Sequence, residues 1–134
     1  MKFFLLIPFL FLGNTKVNAQ KMEMNTDTIG NNSKTDNIYS RFLFGDSLSS
    51  TFCIVIKKGV KAHKHQFHSE NIVVLDGEAN MQVGDVNWKI KKGDAFFIPK
   101  NTVHSAQTIG NTPLKVLSIQ SPLFDGTDRI MIAP

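Results

Sequence analysis

The chain has 134 residues, a net charge of +4 at pH 7 and a single cysteine. This length allows one domain with one modest hydrophobic core. The basic residues form no stripe with interleaved aromatic residues, so we do not expect nucleic acid as a partner. One cysteine excludes an internal disulfide, and Cys53, within an apolar run, is typical of a buried and inert thiol.

Residues 1–19 have the features of a secretory signal peptide. Lys2 is followed by an apolar run over residues 3–12 and then by a polar stretch that ends at Ala19. The apolar run is far shorter than the roughly 20 residues that cross a membrane, so an uncleaved anchor is the weaker alternative. The small residues Val17 and Ala19 suit cleavage by signal peptidase. We therefore predict an exported protein, periplasmic or extracellular, whose mature chain begins after Ala19 and has no stable membrane anchor.

The amino-acid composition of the remainder of the chain changes at Ile38. Residues 20–37 are polar and contain no aromatic residue, which predicts a flexible tether that cannot bury enough apolar surface to order itself. From Ile38 onward, short apolar runs are separated by Gly, Asp, Asn and Pro at intervals of about ten residues, a pattern typical of an all-β sandwich or barrel. No stretch has helical periodicity. We predict a single domain over residues 38–134.

The strands of this domain follow from apolar alternation and turn residues. Two alternating runs on either side of Gly84-Asp85 predict a β-hairpin. Because no helix is available to cover a sheet, the strands must close into a barrel or form two packed sheets. The other strands are predicted at about 40–45, 51–57, 62–67, 71–75, 95–98, 103–109 and 114–121.

A cluster of three histidines and one glutamate lies between positions 63 and 70. On the predicted strand 62–67, His63 and His65 point to the same face, and the polar residues between and after them suit solvent. Inward imidazoles need either hydrogen bonds or a metal ion. Glu70 enters the next strand, where its carboxylate could turn back toward the pair. A buried carboxylate beside two neutral imidazoles is costly alone and favourable around a divalent cation.

Two segments of the chain have a characteristic spacing of glycine, histidine, glutamate and proline. They contain, in order, Gly59, His63, His65, Glu70 and Gly77, and then Gly93, Pro99 and His104. Over roughly residues 38–124, this series resembles the two sequence motifs of the cupins, which are small jelly-roll β-barrels. Gly59 lies two residues closer to the histidine pair than is usual. Asn101 and Thr108 replace a glycine and an asparagine of the second motif.

The resemblance implies a single-domain, cupin-type jelly-roll β-barrel with one bound metal ion, whose ligands would be His63, His65, Glu70 and His104. Three imidazoles and one carboxylate suit Fe²⁺, Mn²⁺, Ni²⁺, Zn²⁺ or Cu²⁺ and do not discriminate among these ions. The alternative is a metal-free cupin whose core histidines are satisfied by hydrogen bonds. His68 matches no motif position, and we expect it to be solvated or to lie behind the ligands.

Three functions remain open for such a chain. The one we favour is a metal-dependent enzyme that acts on a small molecule, either an oxygenase or an isomerase or lyase, in which Glu70 could also serve as a base. The others are a non-catalytic module that binds a sugar or another small ligand, with a structural metal, and a structural or partner-binding role. Phe124 and Arg129 are candidates for lining a pocket or a dimer face. The apolar residues 42–44 on an exposed edge predict a homodimer. Other polar candidates near the metal are Tyr39, Arg41, Gln107 and Gln120.

Overall fold

The described residues of the protein, 23–133 of a computed structural model, form ten β-strands in two antiparallel sheets. The predicted signal peptide lies outside this range, and the described part of the chain has no helix long and apolar enough to cross a membrane. The all-β prediction is confirmed. In chain order the strands are β1 (Ile38–Gly45), β2 (Ser50–Ile56), β3 (Gly59–Lys64), β4 (Ser69–Asp76), β5 (Glu78–Val83), β6 (Val86–Lys91), β7 (Ala95–Ile98), β8 (His104–Ile109), β9 (Leu114–Ser121) and β10 (Ile130–Met131).

The two sheets pack face to face around one apolar core. The first sheet has the order β1-β2-β9-β4-β7 and the second the order β10-β3-β8-β5-β6. Alternation along each strand sends one set of side chains between the sheets. In the predicted hairpin, for example, Ala79 pairs with Ile90, and both are buried. The buried members of this core are Ile56, Ile72, Val74, Ala79, Met81, Ile90, Ile98, Ala106, Leu114 and Val116.

The structure differs from the prediction at β3 and β10. β3 ends at Lys64, so His65 lies just outside the strand that was predicted to continue to residue 67. After Lys64 the chain turns away because the Asp128 carboxylate accepts the backbone N–H groups of Gln66 and Phe67, both at 2.8 Å. β10, which was not predicted, pairs with the edge of β3. Its two residues are too short a run to give a strand signal.

The segment that was predicted to be a flexible tether packs on the outer face of the first sheet over its described part. Ile29 is only 4% exposed and contacts Leu43 and Cys53, which face away from the main core. Lys57 and Lys115 donate from Nζ to backbone carbonyl oxygens of this segment, at distances of 2.7–3.3 Å. One apolar anchor and two lysines therefore hold a stretch whose polar composition alone predicted disorder.

The strand β1 forms one edge of the first sheet. Of the three apolar residues expected there, Phe42 is 52% exposed, whereas Leu43 is buried on the opposite face. Phe42 also packs edge-to-face on Phe52, with ring centroids 5.6 Å apart. An apolar edge of this kind is consistent with pairing. The homodimer stays a prediction.

Two glycines in tight turns give a test of the fold. Gly77 has a φ of 76°, and a Cβ there would lie 2.5 Å from the carbonyl oxygen of Pro113; Gly93 has a φ of 93°, with nothing within 4 Å of such a Cβ. Alanine at either position incurs roughly 1–2 kcal/mol of left-handed backbone strain, and only Gly77→Ala adds a clash with backbone. We predict that Gly77→Ala lowers the Tm, measured by circular dichroism, clearly more than Gly93→Ala does. Equal losses would contradict this close approach.

Candidate metal centre

The structure brings four of the predicted site residues together between the two sheets. His63 lies near the end of β3 and pairs with His104, the first residue of β8, while His65 follows β3 directly and Glu70 lies in β4 of the opposite sheet. All four are at least 94% buried. The ligand atoms of the three imidazoles lie within 4.8 Å of one another. Glu70 Oε1 is 2.8 Å from His65 Nε2 and 3.8 Å from His104 Nε2.

Each of the three imidazoles is oriented by a hydrogen bond from Nδ1 to a backbone carbonyl. A carbonyl oxygen can only accept, so in each ring Nδ1 carries the proton. The Nε2 lone pair of each neutral ring is then free, and it points into the cluster. This arrangement is the one in which metal-binding histidines are usually held. The acceptors are the carbonyl oxygens of Lys61 for His63 (2.8 Å), Asp128 for His65 and Thr102 for His104 (3.0 Å).

The contact between His65 and Glu70 tests whether these residues fit a cation. Glu70 Oε2 accepts a hydrogen bond from Ser118 Oγ at 2.9 Å, which leaves Oε1 to face His65. When His65 is neutral it donates from Nδ1, so its Nε2 presents a lone pair to a carboxylate oxygen only 2.8 Å away. Two such lone pairs repel unless a proton or a metal ion lies between them. Two ligands at about 2.1 Å from one ion and at right angles are about 3 Å apart, so the spacing fits a divalent transition metal.

Burial and mutual contacts set the charge states of the cluster. Burial lowers the pKa of His63 to about 4, with a further lowering by His104, and burial also lowers the pKa of His104. Burial would lower the pKa of His65 as well, but its hydrogen bonds to Glu70 and to the Asp128 carbonyl raise it. Burial would raise the pKa of Glu70, but the His65 hydrogen bond and the charge of His104 lower it. Neutral His63 and His104 and an ionised Glu70 are the forms that bind metals.

His68 is not solvated, which corrects one of the two expectations for it. It is only 2% exposed, stacks on His65 with ring centroids 4.1 Å apart, and has its Nδ1 2.9 Å from Asp128 Oδ2. Its Nε2 has no hydrogen-bond partner within the described residues and lies 3.9 Å from Glu70 Oε1. His68 therefore does not line the cavity, but with His65 and Glu70 it forms a second group whose ligand atoms lie within 4.8 Å of one another.

A cavity of about 160 Å³ opens beside the four residues. Its walls are mainly apolar and come from both sheets, among them Ile54, Ile72, Met81, Phe96 and Val116. Its polar lining beyond the cluster consists of Ser40, Ser105, Gln120 and Arg129. Phe124 also lines it, so the tail residues that were candidates for a pocket wall do line one. Tyr39, Arg41 and Gln107 are not among its lining residues.

Ser118, which holds Glu70, was missed by the sequence analysis. The signal for it was present in β9, where alternate residues from Leu114 to Gln120 are buried. Along this inward face the sequence changes from Leu and Val to Ser and Gln. Buried polar residues in an otherwise apolar alternation need partners, and here Gln120 donates to Ser118, which donates to Glu70.

The sequence model of the Cupin domain family matches residues 51–120, more than half of the chain. The chain belongs to the cupin family. The match spans both motifs, and the two-sheet barrel agrees with it. The resemblance inferred from the motifs, and the jelly-roll fold it implied, are confirmed.

One sequence relative and two solved structures illustrate what this cupin is similar to. Mannose-1-phosphate guanylyltransferase RfbM of Salmonella typhimurium is 37% identical over 81 residues, which is 59% of this chain and only 17% of that protein. An uncharacterized Klebsiella pneumoniae protein with a double-stranded β-helix domain superposes with a TM-score of 0.71 at 18% identity, over 86% of this chain and all of that one. Pac13, a nucleoside dehydratase of Streptomyces, has a TM-score of 0.63 at 13% identity, over 72% of this chain and 78% of its own. The two structural likenesses show the fold alone.

The lowered histidine pKa values predict how acid destabilises the metal-free cupin. A folded-state pKa of about 4 for His63, below the ordinary 6.5, means that the folded protein resists a proton that the unfolded chain accepts. The stability that His63 contributes is present above pH 6.5 and is lost as the pH falls toward 4. The pKa values of His68 and His104 are also lowered, so these residues lose stability over the same range. The pKa of His65 is raised, so its contribution has the opposite sign. We predict that the Tm of chelator-treated protein falls from pH 7 to pH 4, and that His63→Gln falls less steeply. A Tm that rises toward pH 4 would contradict this.

Asp128 holds the loop after β3, which carries His65 and His68. Burial would raise the pKa of its carboxyl, but hydrogen bonds from the backbone N–H groups of Phe67, Gln66 and His68 lower it. Asp128→Ala leaves these donors without an acceptor, and we predict a loss of about 2 kcal/mol in unfolding free energy, measured with urea. The matched control is Asp125→Ala in the same tail, since within the described residues the Asp125 carboxylate accepts hydrogen bonds from its near neighbour Thr127 and holds no distant loop. If both variants lose the same stability, the loop is not held by Asp128.

Proposed function

We propose that the protein is an exported mononuclear-metal cupin that binds one divalent transition metal through His63, His65, Glu70 and His104 and acts on a small molecule in the barrel. The observation that carries this proposal is the orientation of the three buried imidazoles, whose Nε2 lone pairs converge beside an ionised carboxylate. Without a cation, this arrangement buries unpaired acceptors and a charge, which is costly. The pattern of residues 1–19 supports export.

The residues around the cluster have different roles in such an enzyme. When bound, the metal supplies a Lewis acid with up to two open positions for a substrate, water or dioxygen. The carbonyls that accept from Nδ1 keep the imidazoles in the binding tautomer, and Ser118 fixes Glu70 through Oε2. The apolar walls exclude water and strengthen electrostatic interactions inside the cavity. Glu70 is the candidate base once it leaves the metal, because no other carboxylate lines the cavity in the described part of the chain.

The reaction we propose is of the lyase or isomerase type or an oxygenation. The dehydratase Pac13 shares the fold, which supports a lyase as a reaction that this architecture accommodates. The scarcity of further acids and bases in the cavity means that an enzyme would rely on the metal ion and Glu70. The same scarcity favours the second candidate, a non-catalytic module for a sugar or another small ligand. Dioxygen uptake by natively exported protein, screened with phenolic and thiol substrates, tests for oxygenation.

The ligand set predicts that metal binding and folding can be separated. We predict that His63→Ala and His104→Ala each lose most of the bound metal, because each removes one of four ligands, and that both keep a β-rich circular dichroism spectrum. The barrel should persist because its apolar core consists of residues other than the ligands. The control is Gln107→Ala, an exposed position on the same strand as His104. Elemental analysis gives the metal content. Full metal content in His104→Ala would show that the site is assigned wrongly.

A further inference from the structure

Arg129 is held over the cavity by its two neighbours in the chain. On one side, the Asp128 carbonyl accepts a hydrogen bond from His65, and its carboxylate accepts from the backbone N–H groups of the loop after β3. On the other side, Ile130 begins β10 and pairs with Lys64 in β3. A residue between two such anchors has little backbone freedom. Its position relative to the cluster is therefore fixed by the fold.

The guanidinium of Arg129 has no protein partner within the described residues, although it lines the cavity. No other arginine or lysine is found among the lining residues of this cavity. Among the described residues, the cavity lining thus includes one cationic side chain, that of the exposed Arg129, together with the four residues of the candidate metal centre.

With the proposed divalent ion bound, the balance of charge in this cavity is positive. A divalent ion and Arg129 together exceed the single negative charge of Glu70, so an anion entering the cavity gains from both. A guanidinium is always charged and presents a planar fork of donors that matches a carboxylate in two parallel hydrogen bonds. The remaining walls are apolar and favour a ligand with an apolar body. A cavity of about 150 Å³ accommodates a molecule the size of benzene, and this one is similar.

We propose that Arg129 binds the carboxylate of a small organic acid whose apolar body, about one six-membered ring in size, occupies the cavity. This inference rests on the proposed function, because it assigns a chemical class to the small molecule that the metal centre handles. Arg129 sets specificity by charge and by geometry. Neutral molecules of the same shape gain no charge-assisted hydrogen bonds from the exposed guanidinium, and they should bind more weakly.

The test uses metal-loaded, full-length mature protein, with benzoate as the probe and benzamide as its neutral counterpart. We expect benzoate to bind in isothermal titration calorimetry and benzamide to bind at least tenfold more weakly. Arg129→Gln should lower the affinity for benzoate by about tenfold or more, the usual effect of losing a charged hydrogen-bonding pair. Arg129→Lys should recover only part of it, because an ammonium lacks the fork. The charge-matched control is Lys100→Gln, an exposed lysine outside the cavity lining, which should leave the affinity unchanged.

The outcomes separate this inference from the proposed function. Equal binding of benzoate and benzamide, no binding of benzoate, or unchanged benzoate affinity in Arg129→Gln would each overturn the role of Arg129. An equal loss in Lys100→Gln would also overturn it, since net charge would then explain the effect. Metal content is measured on the same samples. If the wild-type protein retains no metal, the proposed function fails, and the comparison of benzoate with benzamide on the metal-free protein still decides whether Arg129 binds the acid.

Discussion

The hydrogen bonds from three buried Nδ1–H groups to backbone carbonyls are the constraint on which the centre of this protein depends. An imidazole in an apolar barrel must satisfy its N–H, and here each ring does so away from the cluster. For His63 and His104 the acceptor is the carbonyl two residues earlier in the chain. This local solution needs an irregular backbone, and the register between β3 and β8 shifts between Val60 and His63. His65 has no such local acceptor, so it depends on Asp128, far along the chain.

The division of the barrel into an apolar part and a polar part allows the centre to exist without destabilising the fold. Along β9, the inward residues Leu114 and Val116 belong to the hydrophobic core, whereas Ser118 and Gln120 lie beside Glu70. Strand pairing places Val74 of β4 opposite Val116 at the apolar end and Glu70 opposite Gln120 at the polar end, with Ile72 opposite Ser118 between them. The buried polar groups are therefore collected at one end, where they can satisfy one another. The other end supplies the apolar burial that stabilises the domain.

The sequence predicts those parts of this structure that depend on local patterns. Alternation and turn residues predicted nine strands, and the spacing of two motifs brought His63, His65, Glu70 and His104 into one hypothesis. What it did not predict depends on contacts between distant residues. Asp128 is about 60 residues from the loop it holds, Asp128 and Phe124 help to cover His68, and Ile29 packs against side chains of the first sheet. Such contacts carry no periodic signal, because a single acid or isoleucine in a polar stretch has no pattern around it.

The tail from Phe124 to Met131 couples the cluster to the cavity. Asp128 orients His65 and His68, and its neighbour Arg129 lines the cavity, so one short segment serves both the metal ligands and the proposed ligand. A ligand that contacts Arg129 stabilises the docked tail, and the docked tail keeps His65 in the tautomer that binds a cation. Coupling of two binding equilibria through a shared segment is reciprocal by thermodynamic necessity. If the metal and the acid both bind as proposed, each therefore strengthens the binding of the other by the same factor.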